Sequence, residues 1–161
     1  MTHRDSYSGL QIGLHWSIAL LIIANYFISD GMPEAFDAMM AGKPVSGLVP
    51  EFHVVVGTMI LGLVVLRLMV RLVQGAPVEH SKAGSVSARL AKLGHLALYV
   101  LMLVVPAFGA IAWYGKTEST ANLHVLTMNV MMILAVGHAA VALLHHYVLK
   151  DGLLNRMTRA N

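Results

Sequence analysis

Cysteine is absent from the 161 residues. Its absence excludes disulfides, iron–sulfur clusters, thiolate zinc sites and covalent C-x-x-C-H haem attachment. Charge is scarce as well. Asp, Glu, Lys and Arg make up 12% of the chain, where a soluble globular domain carries about 25%. With 57% apolar residues and positive mean hydropathy, a water-soluble globule is excluded and a polytopic membrane protein in contact with lipid is expected. The net charge of +3 is too small to suggest a nucleic-acid partner. What remains conspicuous is nine histidines in a chain with so few other polar groups.

Four apolar stretches are long enough to cross a bilayer. The expected spans are about 10–29, 51–73, 93–114 and 121–149 in one domain, 1–161, an all-α four-helix membrane bundle. A secretory signal is the rival reading of the first stretch, because Arg4 precedes it. No small-x-small cleavage site follows, and the His15-Trp16 pair inside the run argues for a span. Residues 30–51 hold Pro33, Pro44 and Pro50, which predicts an irregular loop with a short amphipathic turn around Glu34–Met40. Arg67 and Arg71 fall in the last turns of the second span, where they are expected to snorkel to the headgroups. Residues 74–92, with Pro77, Lys82 and Gly84, read as a polar linker, and Pro106 should kink the third span. Trp113 and Tyr114 close that span as interfacial aromatics.

Lys and Arg are divided nine to two. Arg4, Arg67, Arg71, Lys82, Arg89, Lys92, Lys150, Arg156 and Arg159 fall on one side, against Lys43 and Lys116 on the other. The positive-inside rule then places both termini in the cytoplasm.

That topology assigns each histidine a depth. His53 and His124 open the second and fourth spans near the outer surface, whereas His15, His95, His138, His145 and His146 lie in the inner half. His124 and His138 stand 14 residues apart, about 21 Å and nearly four turns of helix, so both rings leave the helix on the same side. Ionisable groups at such depth are costly and usually functional. Each is expected to be an axial ligand of its own haem. His53 pairs with His124 on the outer iron; His138 pairs with His15 or His95 on the inner one, and depth favours His15. One turn past the ligands stand Ala19, Gly57, Met128 and Ala142, mostly small residues. They leave room for a flat macrocycle, or simply permit close helix packing. Zinc would require three or four converging ligands. Copper handling through the 11 methionines in a haem-free bundle is the remote metal alternative, and histidines hydrogen-bonded between helices are the structural one.

The sequence resembles the bacterial cytochrome b561 family. The likeness rests on Tyr7-Ser8-Gly9-Leu10-Gln11-Ile12-Gly13-Leu14-His15-Trp16, His53-Val54-Val55-Val56-Gly57 and Arg67-x-x-x-Arg71. It continues through Leu93-Gly94-His95-Leu96-Ala97-Leu98-Tyr99, Gly137-His138-Ala139-Ala140, His145-His146-Tyr147 and Lys150-Asp151-Gly152-Leu153-Leu154. The resemblance implies four helices, two haem b groups with axial ligands His15, His53, His124 and His138, and ubiquinone as a partner in the bacterial inner membrane. The short connection between the third and fourth spans departs from the family pattern, so no function of a long outer loop is implied.

Two bis-histidine haems form a transmembrane electron path and offer no open iron position to oxygen. His95, His145, His146, Arg67 and Arg71 then constitute a candidate quinone, proton-relay or anion site at the inner face. The expected activity is that of a quinone-linked oxidoreductase, with superoxide as a small electron donor that some family members are associated with. An electron-conducting subunit serving a separate dehydrogenase or soluble cytochrome is the alternative.

Overall fold

The computed structural model describes residues 6–75 and 86–160, with the side chains of Val86 and Ser87 outside that description. Arg4, Pro77, Lys82 and Gly84 therefore lie outside the described residues. Helix α1 is Gly9–Phe27, α2 Met32–Met40, α3 Leu48–Gln74, α4 Val86–Gly115 and α5 Glu118–Leu144. A π-helical turn, His145–Leu149, and a 3-10 turn, Leu153–Met157, complete the chain. Four of these helices are long and apolar enough to cross a membrane.

The boundaries follow local chemistry. Ser8 caps α1, accepting from the Gln11 amide while the Gln11 side chain accepts from the Ser8 amide, each at 3.3 Å. This reciprocal box satisfies two amides that the first turn leaves unpaired. Where a short amphipathic turn was expected, α2 is a full helix, because Pro33 near its start supplies the right φ and needs no amide partner. The third span begins earlier than expected, at Val86, so part of the supposed linker is helical. Its helix runs on through Pro106. Only Lys116 and Thr117 separate α4 from α5, with Lys116 in a left-handed conformation at φ 51°.

Helix α1 packs on α3, α3 on α4 and α4 on α5, and α2 rests on α3. The tightest seam is formed by Ile18 of α1 with Val56, Ile60 and Val64 of α3. The three α3 residues recur every four positions and so define one face. Elsewhere large apolar side chains such as Leu20, Phe27, Leu72 and Ile133 are exposed, as expected where the surrounding solvent is lipid.

Both chain ends meet at one end of the bundle, here called the terminal end. The Tyr7 amide donates to the Arg156 carbonyl at 3.4 Å and the Trp16 indole to the Met157 carbonyl at 2.8 Å. Ser8 and Gln11 also reach Gln74 and the Gly75 carbonyl, at 2.6 and 2.9 Å. The opposite end, bearing α2, is the loop end.

Candidate functional site

At the loop end, His53 of α3 faces His124 of α5, with ring centroids 6.0 Å apart and planes at 83°. The Nδ1 of His124 lies 2.8 Å from the Val105 carbonyl of α4. A carbonyl only accepts, so Nδ1 carries the proton, and in the neutral ring Nε2 keeps its lone pair. That is the arrangement by which proteins orient an imidazole toward a metal. The ring also rests on Gly109, where a methyl group would come within 3.0 Å of its Cε1 and Nδ1. The α4 helix, which contributes no axial ligand at this end, thus sets the attitude of His124. Neither Val105 nor Gly109 stood out in the sequence, since a backbone carbonyl and an apolar-run glycine carry no pattern of their own.

Among the described residues, the buried Nδ1 of His53 has no hydrogen-bond partner, and neither does the buried Oδ1 of Asn25. Asn25 stands close to both His53 and Gly57, since its main chain faces His53 and a methyl on Gly57 would lie 3.8 Å from its amide nitrogen. Buried polar atoms are ordinarily paired. Their concentration beside a half-buried imidazole is the character of a ligand site.

At the terminal end three imidazoles gather. His138 of α5 meets His95 of α4 edge-on with centroids 5.2 Å apart, and His15 of α1 lies within electrostatic reach of both. His15 and His138 are half-buried whereas His95 is more exposed. The structure therefore brings all three candidates to one locus. Depth favoured His15 over His95 as the partner of His138; the ring in edge contact with His138 is that of His95.

Arg67 and Arg71 depart from the expectation of snorkelling. Arg67 is only 8% exposed and donates to the Gln11 carbonyl at 2.7 Å. Arg71 lies 5.4 Å over the Tyr99 ring and donates to the hydroxyls of Tyr7 and Tyr99. Both turn inward because α1 and α4 offer oxygen acceptors and an aromatic face at that depth, which long polar side chains take in preference to a reach for the surface. His145 and His146 make their contacts within the C-terminal segment. His145 bonds Asp151, and His146 lies edge-on to Tyr147 at 4.8 Å.

This chemistry fits a metal porphyrin better than a bare ion. Among the described residues no three His, Asp or Glu side chains converge to hold a metal, so tetrahedral zinc finds no site there. Opposed imidazoles, one with its tautomer held by a carbonyl, supply what the axial positions of a haem iron take.

Comparison with known proteins follows the same line. A family model for prokaryotic cytochrome b561 matches residues 6–160. The chain is 44% identical over 160 residues to cytochrome b562 of Cereibacter sphaeroides, covering 99% of both chains. It is 30% identical over 178 residues to a probable superoxide oxidase, CybB, of Yersinia pestis, covering 96% of each. Cytochrome b561 homolog 1 of Escherichia coli is 28% identical over 174 residues, covering 95% of this chain and 97% of its own.

Proposed function

Because the chain belongs to the prokaryotic cytochrome b561 family, and is therefore a multi-pass membrane protein of electron transport, we propose that it moves electrons between ubiquinone and a donor through two b-type haems. His53 and His124 would hold one at the loop end, and His15 and His138 would hold the other at the terminal end. When bound, haem would supply one-electron chemistry. The protein's own part is orientation. Val105 and Gly109 fix the His124 ring, and Gly57 leaves room beside His53. The two sites lie about 21 Å apart along the bundle, from the 14-residue spacing on α5.

The facing pair His53 and His124 carries this reading, together with the Nδ1–Val105 bond that commits one ring nitrogen and spares the other. Ubiquinone is served at the terminal end, where His95 and Arg71 offer a ring nitrogen and a cation for a quinone oxygen and its proton. His145 and His146, drawn into the C-terminal segment, stand farther out on the same relay. The bundle lies in the bacterial inner membrane with both termini in the cytoplasm.

Superoxide is the small donor suggested by the likeness to the Yersinia protein. The loop end supports a second reading of the donor. It carries Asp30, Glu34, Asp37, Glu51 and Glu118 against Lys43 and Lys116, a balance that repels anions and steers cations. A basic redox protein fits that surface better, which makes the chain an electron-conducting subunit.

Haem stoichiometry is the first test. Two haems per polypeptide are expected by pyridine haemochrome, falling to one in His138→Ala; an unchanged ratio in that variant means the terminal-end iron is held by other residues. Reduction of a short-chain ubiquinone by purified protein with a superoxide source, or only after a reduced basic cytochrome is added, then separates the two donors.

A further inference from the structure

On α3, His53 and Arg67 are 14 residues apart, the same interval that separates His124 and His138 on α5. The two helices run the same way through the bundle, from loop end to terminal end. Since His53 is level with His124, Arg67 is level with His138. Helix α3 thus presents an imidazole to one site and a guanidinium to the other.

That guanidinium is unusual in its surroundings. It is buried, lies within electrostatic reach of His15 and donates to the carbonyl of Gln11, one turn before His15 on α1. Among the described residues no carboxylate pairs with Arg67, whose bonded partner is the Gln11 carbonyl. With no described carboxylate beside it, the field of this buried cation in a low-dielectric interior reaches its neighbours with little screening. Arg71, one turn on, is more exposed and engaged with Tyr7 and Tyr99.

The loop end has the opposite bias. Its ionisable surface is predominantly acidic, and the carbonyl on the Nδ1 of His124 makes that ring a stronger donor to a metal. Both features favour the more positive oxidation state of an iron placed there. A fixed positive charge at the other end favours the less positive one.

We propose that Arg67 is a built-in charge that makes the terminal-end haem the more easily reduced of the two, an inference that rests on the two-haem reading above. With both haems bound, an electron entering at the loop end would run downhill to the terminal end, one iron being oxidised as the other is reduced, with no bond made or broken. Arg67 is a positioning residue in this scheme: it touches the α1 backbone and sets the field at the site.

The test uses the full chain purified with its haems. Stoichiometry is measured first, and a count other than two per chain removes the two-haem reading and this inference with it. With two present, spectroelectrochemical titration of the wild type resolves two components, and the one missing from His138→Ala is the terminal-end haem. It is expected to be the higher-potential component. Arg67→Gln should lower its reduction equilibrium about tenfold, about 59 mV for one electron, and leave the other component in place. Arg67→Lys, which keeps the charge, should restore most of the shift. The inference is overturned if the terminal-end haem is the lower-potential one, if Arg67→Gln moves both components equally or neither, or if Lys behaves as Gln does. Should the Gln variant fail to assemble, the wild-type ordering alone still decides.

Discussion

A single missing methyl group governs the loop end. Gly109 lets the His124 imidazole lie against α4, and Val105 then receives its Nδ1 proton. In Gly109→Ala the new Cβ would stand 3.0 Å from the ring, closer than carbon and nitrogen pack comfortably. The ring must tilt, and tilting it strains a hydrogen bond worth about 0.5–1.5 kcal/mol. On the proposed two-haem reading, the expected outcome is a changed low-temperature EPR signature for one haem, with the second unaltered. A spectrum identical to wild type in both would mean that α4 does not orient this ligand. Arg67 makes the same point at the other end, since its hold on α1 is a backbone carbonyl that no side-chain motif announces.

Among the elements, the end of α5 is the most distinctive. The helix widens into a π turn over His145–Leu149 and stops at Lys150, left-handed at φ 53°. Asp151 then gathers His145 and the Leu153 amide, the latter at 3.0 Å, and these bonds hold its carboxyl below the ordinary value of 3.8. A carboxyl lowered in this way contributes to the folded segment above its ordinary range and ceases to do so as pH falls through its depressed value. The clip is therefore intact from neutrality down to the ordinary carboxylate range and released only in stronger acid. Asp151→Asn, which cannot carry the charge, should speed hydrogen exchange over residues 150–157 at neutral pH without loss of haem. Protection equal to wild type at pH 7 would show that the 3-10 turn is secured by Trp16 and Tyr7 alone.

The whole molecule is polarised. Basic residues and both chain ends collect at one end, and acidic residues dominate the other. Under the positive-inside rule a reporter fused after Asn161 should be active only in its cytoplasmic form, and one inserted between Ala41 and Val45 only in its exported form. The reverse pattern would invert the direction of electron flow across the membrane while leaving the ordering of the two sites along the bundle untouched. If a basic protein is the donor, its rate of electron delivery should fall as ionic strength rises, because the acidic loop-end field is screened within about 8–10 Å at moderate salt.

The sequence by itself determined the number of spans and the spacing of the histidines along them, because length, hydropathy and 3.6-residue periodicity are properties of a single helix. It also located the short α4–α5 connection, and it placed a helical tendency around Glu34–Met40 without revealing that α2 is a complete helix. What it could not decide was which groups on different helices face one another. Depth alone separated His15 from His95 as partners of His138, yet the fold draws all three together. Arg67 and Arg71 looked like surface anchors, and they turn inward because Gln11 and Tyr99 on neighbouring helices, and Tyr7 just before α1, lie within reach. Helix rotation and pairing depend on contacts between elements, and those exist only once the bundle has formed.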